Sequence, residues 1–356
     1  MKIKKTSSSR VFKLDFKNLS FGNYYSDHMF YCKFINGKWK KPIIKPFNNL
    51  KFSPITLVFH YGQAIFEGMK AYKDKKNNVF LFRPEENFKR MNNSAKRLEM
   101  PLIPKSIFIQ GIKTLIKIDK NWIPKDYGKS LYIRPFMIAN KGILSALPSK
   151  EYIFMIISTP SESYYNKPLK IKIEQKYSRS AEGGIGYTKA AGNYAMSFYP
   201  TKIAQKEGYD QLLWTDSSTH KIIEESGTMN VFFHIKNKLI TPPANKKILN
   251  GITRKSLIFL AKNLGIKVEE KNILVLELIK YLKKGLVKEA FGCGTAVVIN
   301  FFKTIGYKGN NFNLPILPKK KRLSIYLKKK LLDIQHNIIK DKFGWLIKVN
   351  NLKYEK

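Results

Sequence analysis

Lys189 lies in the segment Thr188-Lys-Ala-Ala-Gly-Asn-Tyr194, just after the glycine-rich turn Gly183-Gly-Ile-Gly186. Its neighbours from Gly183 to Asn193 are uncharged and mostly small, and Glu182 is the nearest acid. A lysine kept from bulk water has a lowered pKa and can form a Schiff base with an aldehyde. Taken alone, however, Lys189 is one of 58 lysines. Asn250-Gly-Ile-Thr-Arg254 precedes a helical pattern, and a helix N-terminus offers N–H groups and a favourable dipole to a phosphate. Its plain reading is an ordinary helix start capped by Thr253. Gly292-Cys-Gly-Thr-Ala296 is a second small-residue turn after an apolar strand. Glu224 and Glu225 open another apolar strand, and each reads on its own as solvated. Arg83, in Leu81-Phe-Arg-Pro84, reads alone as a surface arginine.

The elements that must position these residues follow from periodicity. Residues 11–60 read as short strands with turn residues between, and Ile35-Asn-Gly-Lys38 as a hairpin turn. Phe88, Met91, Ala95 and Leu98 recur at helical spacing between Glu85 and Met100, and Ile107–Ile118 repeats the period. Leu131–Pro135 and Tyr152–Ile157 read as buried strands. Ser158-Thr-Pro-Ser-Glu-Ser163 then breaks the pattern, which predicts a first domain over 1–160, a linker at 161–168 and a second domain over 169–356. In the second half a helix is expected around Ala195–Glu207. Short strands follow at 212–215, 221–223, 229–235 and 239–241, and helices at 254–264, 275–284 and 322–340. That strand spacing suits a barrel or sandwich.

The chain has 356 residues, 44% of them hydrophobic and 26% charged, values ordinary for a globular protein and against disorder. No apolar run approaches a membrane span. The basic N-terminus lacks an apolar core, so it does not read as a secretory signal. Two cysteines, Cys32 and Cys293, cannot build a disulfide framework or a zinc site, and the expected metal count is none. A cytoplasmic setting fits. The formal net charge of +41 raises nucleic acid as a partner. Only eight of the cations are arginine, the residue best suited to bidentate phosphate and guanine contacts. The lysines are dispersed, and Lys, Asn, Ile, Phe and Tyr are all abundant, as an A/T-rich gene would produce. Neither a specific nucleic acid nor a membrane is expected.

Order and spacing together are more specific than any single motif. From Ser26-Asp-His-Met29 through Phe66-Glu-Gly-Met-Lys-Ala71, Leu81–Pro84, Tyr132-Ile-Arg-Pro135, Gly183–Tyr194, Glu225–Asn230, Thr241-Pro-Pro243, Gly251–Arg254 and Phe291–Ala296, the sequence resembles the branched-chain amino-acid aminotransferases. The likeness is strongest to their longer class, which includes the animal enzymes. It implies an α/β (α+β) enzyme of pyridoxal-phosphate fold type IV. A small α/β domain and a larger barrel-like domain would hold pyridoxal 5'-phosphate between them, in a homodimer. The implied reaction moves the amino group of leucine, isoleucine or valine reversibly to 2-oxoglutarate.

Carried over by residue, the resemblance implies that Lys189 holds the cofactor aldehyde as an internal aldimine. Tyr194 would bond the phenolic oxygen and Glu225 the pyridine nitrogen. Arg83, Ile252, Thr253 and Thr295 would bind the phosphate, with Arg179 a neighbour of the site. Thr295 and Ala296 would receive the substrate carboxylate, and Tyr61, Phe66, Tyr132 and Arg134 would line the substrate pocket. The chemistry is coherent: a dianionic phosphate suits an arginine and a helix N-terminus, and a carboxylate keeps a pyridine ring protonated. Some animal members carry a Cys-x-x-Cys pair where this chain has Val297 and Asn300, so a thiol switch of that kind is not expected. Asn250 replaces a usual proline and Ala191 a frequent glycine. The alternatives are a D-amino-acid aminotransferase or aminodeoxychorismate lyase and, from another class, a basic nucleic-acid-binding protein.

Overall fold

In the computed structural model, residues 1–162 and 167–349 are described; residues 163–166, inside the expected linker, lie outside them. The chain divides into two compact units. The first comprises Met1–Tyr164, Lys189–Ala191 and Leu332–Lys356; the second, Tyr165–Thr188 and Gly192–Leu331. The sequence expects a second domain running to 356, whereas the residues from Leu332 group with the first unit. Among the described residues, no helix is long and apolar enough to cross a membrane.

The first unit contains β1 (Lys2–Ile3), β2 (His28–Ile35), β3 (Lys38–Trp39), β4 (Ile43–Pro46) and helix α1 (Leu57–Tyr61). Strands β5 (Ala64–Phe66), β6 (Met69–Lys73) and β7 (Val79–Phe82) follow, then helices α2 (Pro84–Arg97) and α3 (Gly111–Ile118) and the long strands β8 (Ser130–Ala139) and β9 (Tyr152–Ser161). They form a ten-stranded sheet ordered β1-β4-β2-β9-β8-β6-β7 and then Leu346–Lys348, with β3 on β2 and β5 on β8. The predicted hairpin is present, with Asn36 and Gly37 at φ of 54° and 70°, the left-handed pair that a two-residue turn requires. The apolar run before His60 is a short helix and not a strand.

The break expected at Ser158 is strand instead. Ser158–Ser161 continue β9 opposite Ser130–Ile133 of β8. Proline is tolerated there because β2 pairs β9 only as far as Ile156, so Pro160 needs no N–H donor on that side. The hydroxyls of Ser158 and Ser161 are buried against those of Ser26 and Ser130.

Helix α2 has Pro84 in its first turn with Glu85 and Glu86, and Lys96 and Arg97 in its last, the charge order that the helix dipole favours. It buries Met91 and Ala95 in the core of this unit. A buried ion pair fixes its register on the sheet. Arg90 donates Nε to Glu67 Oε1 at 2.7 Å and a terminal nitrogen to Oε2 at 2.9 Å. Asn87 adds a third donor at 2.7 Å, and Glu67 has no solvent exposure.

The second unit holds β10 (Leu169–Ile173), α4 (Gly192–Ala195), α5 (Phe198–Lys206), β11 (Gln211–Thr215), β12 (Ile223–Ser226), β13 (Asn230–Ile235) and β14 (Lys238–Thr241). Helix α6 (Ile252–Asn263), β15 (Lys267–Glu270), α7 (Val275–Lys283), β16 (Val287–Gly294), β17 (Val298–Tyr307) and β18 (Asn310–Asn313) complete it. The nine-stranded mixed sheet runs β12-β11-β10-β17-β16-β13-β14-β15, with β18 on β17. Its apolar core includes Leu169, Ile171, Phe233, Leu278 and Ile305. Helix α8 (Leu323–Gln335) follows.

Glu67→Gln should cost about 3–5 kcal/mol of stability in urea denaturation, because it leaves the Arg90 cation without its buried counter-charge. A loss below about 1 kcal/mol would show that α2 does not depend on the pair.

Candidate active site

In the second unit the site is built on an irregular strand. β11 and β12 pair Leu213 with Ser226 but Thr215 with Ile223, so β12 carries one extra residue. A bulge re-aims side chains, and here both adjacent glutamates are buried, Glu224 and Glu225 at 2% and 5% exposure. The plain reading of each as solvated therefore does not hold. Glu225 receives Arg179 at 2.5 Å, Asn230 Nδ2 at 2.8 Å and the Leu249 N–H at 3.4 Å. Arg179 also donates to the carbonyls of Gly186 and Lys247 at 3.1 and 2.5 Å, tying the glycine-rich turn to the same point. A Cβ on Gly186 would fall 2.6 Å from the Lys247 carbonyl oxygen, so only glycine permits that approach.

Glu224 has the Lys247 ammonium 3.5 Å away. Burial raises its pKa above the ordinary 4.5, and the pull of Lys247 and Arg179 in the other direction is weaker.

Helix α6 begins two residues earlier than a Thr253 cap would allow. Gly251 is the cap and provides no side-chain hydrogen bond, while Ile252 and Thr253 occupy the buried first turn. A Cβ on Gly251 would fall 2.0 Å from Asn230 Oδ1, so the strand that bears Asn230 and the start of α6 meet over a glycine. Arg254 is used structurally, donating to the Pro242 carbonyl and Glu270 at 2.7 and 2.9 Å. Thr295 and Ala296 are half-buried in the turn between β16 and β17. Val298 follows them at φ of 59°, a conformation costly for a β-branched residue. Cys293 is buried on β16 and desolvation pushes its thiol pKa up, away from reactivity. Tyr194 is half-buried in α4.

In the first unit, Lys189 is half-buried and its backbone is held on both sides. Its carbonyl accepts the Phe66 N–H at 3.0 Å, and Ala191 N–H reaches the Ala64 carbonyl at 3.0 Å. The three residues thus lie against β5 like a short antiparallel strand. The Lys189 ammonium sits 4.6 Å from the Phe66 ring centroid, and the Arg134 guanidinium 4.5 Å from the same ring. Tyr132 and Arg134, two apart on β8, share a face, and Arg134 donates to the Tyr132 hydroxyl at 3.0 Å. Gly68 makes room for that hydroxyl, since a Cβ there would lie 2.1 Å from it. Lys189, Phe66, Tyr132 and Arg134 therefore form one cluster. Tyr61, at the end of α1, is 46% exposed. Arg83 sits just before α2 at φ of 48°, its guanidinium 5.0 Å from the Trp345 ring, and burial lowers its pKa.

Among the described residues, no group of three or more His, Cys, Asp or Glu could hold a metal ion. Sequence reasoning missed Asn230, Glu67, Arg90 and Ser94. The first two lie inside quoted motifs, but only the fold shows what their side chains touch.

Residues 64–303 match the family described as amino-transferase class IV, and the chain belongs to that family. It is 44% identical over 346 residues, covering 95% of each chain, to a Staphylococcus aureus protein named a probable branched-chain-amino-acid aminotransferase. It is 41% identical over 358 residues to branched-chain-amino-acid aminotransferase 2 of Bacillus subtilis, covering 98% of this chain and 97% of that one. Among solved structures, the branched-chain amino acid aminotransferase from Escherichia coli superposes with a TM-score of 0.72. It is 25% identical, and the match covers 91% of this chain and 99% of that one.

Glu224→Gln keeps the shape of the side chain and removes the charge that burial disfavours. A raised carboxyl pKa means the native state holds the proton more tightly than the unfolded chain. Glu224's contribution is thus fully present below pH 4.5 and lost as pH rises through its folded value. In denaturant titrations the stability of the variant relative to wild type should therefore grow above pH 4.5. A difference flat with pH would contradict this.

Proposed function

We propose that the protein transfers the amino group of a branched-chain amino acid reversibly to 2-oxoglutarate, with pyridoxal 5'-phosphate as its cofactor. What carries this reading is the near-full-length likeness to relatives named for that reaction, in a chain where every polar group the chemistry requires is present. The residues fit the cofactor. The first turn of α6 has no side-chain cap and begins at a glycine, so its N–H groups and the Thr253 hydroxyl suit a phosphate. Arg83 supplies a cation, and Thr295 a further hydroxyl. Glu225 is a buried carboxylate already oriented by three donors.

When bound, the cofactor supplies an electron sink for the substrate α-carbon. Lys189 would hold its aldehyde, and its amine would serve to accept and return the proton of the substrate α-carbon. Glu225 keeps a proton on the ring nitrogen, and Arg179 holds Glu225 in place. Tyr194 donates to the phenolic oxygen. The backbone of Thr295 and Ala296 takes the substrate carboxylate, while Tyr61, Phe66, Tyr132 and Arg134 bound an apolar side-chain space. We further infer a homodimer working in the cytoplasm.

Borohydride reduction followed by peptide mapping should label Lys189, and leucine added without 2-oxoglutarate should change the visible spectrum. Label on another lysine, or a response to D-alanine in place of leucine, would overturn the reading. Glu225→Gln should lower turnover by about one to two orders of magnitude, since a charge-assisted hydrogen bond is worth roughly 1.5–3 kcal/mol. Wild-type turnover in that variant would show that the carboxylate is misassigned.

A further inference from the structure

The geometry points to Ser94 of helix α2 as the residue that positions Lys189. Its hydroxyl oxygen accepts the Lys189 N–H at 2.9 Å across 95 residues of sequence. The Ser94 hydrogen is committed elsewhere, donated to the Arg90 carbonyl one turn back at 3.1 Å. The rotor is therefore fixed, and the face it offers Lys189 is a lone pair. Ser94 is 1% exposed, so water cannot replace it as acceptor.

The two backbone groups of Lys189 thus have partners on two different elements. The N–H is held by α2 through Ser94, and the carbonyl by β5 through the Phe66 N–H. Those elements are themselves locked together by the Glu67–Arg90 pair. Glu67 adjoins Phe66, and Arg90 supplies the carbonyl that orients Ser94. The chain from Glu67 through Arg90 and Ser94 to Lys189 is continuous. Its effect is to fix the peptide plane from which the lysine side chain departs, and with it the direction in which the amine points. The ring of Phe66, 4.6 Å from the ammonium, marks that direction.

This inference rests on reading Lys189 as the cofactor lysine. Ser94→Ala removes the acceptor and leaves a residue that helices favour. Ser94→Thr keeps a hydroxyl that can back-bond to the same carbonyl. For the holoenzymes, the pH midpoint of the visible absorbance of the lysine-bound cofactor is measured beside kcat, KM and the melting temperature of the apoprotein. Ser94→Ala should displace the midpoint and lower kcat about ten- to a hundredfold, as expected for a slight misplacement of a reacting group, with a smaller change in KM. Ser94→Thr should return both toward wild type. An unchanged midpoint and kcat in Ser94→Ala, or a fall in melting temperature alone, would overturn the assignment. A wild-type protein with no visible band that Lys189→Ala abolishes would instead remove the reading of Lys189, and this inference with it.

Discussion

A carboxylate cut off from water organises the first unit. Glu67 holds Arg90 bidentately and accepts a third hydrogen bond from Asn87, so both of its buried oxygens are satisfied within the protein. Satisfying it fixes how far α2 slides along the sheet, because Asn87 and Arg90 lie one turn apart and both must reach the same two oxygens. Everything that α2 presents inherits that register, including the half-turn bearing Arg83 at its start and the hydroxyl of Ser94 near its end. Apolar packing of Met91 and Ala95 would tolerate a small slip; the ion pair does not.

The second unit solves a similar problem by different means. Its fixed point is Glu225, and Arg179 is the common donor that gathers one carboxylate and two loop carbonyls. All three meet one terminal nitrogen of its guanidinium, a delocalised cation more weakly hydrated than an ammonium and so better suited to burial. This explains how arginine is used in a chain otherwise committed to lysine. Arg90 and Arg179 are engaged in buried or nearly buried ion pairs, the buried Arg254 reaches a more exposed glutamate, and Arg83 and Arg134 lie over aromatic rings. Composition could drift toward lysine at the surface, where any cation serves, and not at positions that require geometry.

Much of this is legible in the sequence for physical reasons that can be named. Helix α2 is readable because periodicity, the proline and the end charges agree, and the Asn36-Gly37 turn because few residues accept two left-handed positions in succession. Strand β9 misleads at Ser158–Ser161: local polarity suggests a loop, while the serines are satisfied by Ser26 and Ser130, more than thirty residues away in each case. The short helix α1 passes for strand because five residues carry too little periodicity to decide. Lys189 and Glu225 are found from their place in an ordered set of motifs. Their supports are not, since nothing in the spacing of Ser94 and Lys189 indicates that they touch.

The extra residue in β12 bears on how this protein can change over generations. Substitutions act on one side chain, but a ladder counts residues. Loss of a single residue between Ile223 and Ser226 would restore a regular pairing with β11 only by deleting one of the two buried glutamates. Gain of one would enlarge the bulge and re-aim both carboxylates. This hairpin is thus free to vary in spelling and closed to variation in length, and lineages of this chain should accumulate their insertions and deletions elsewhere.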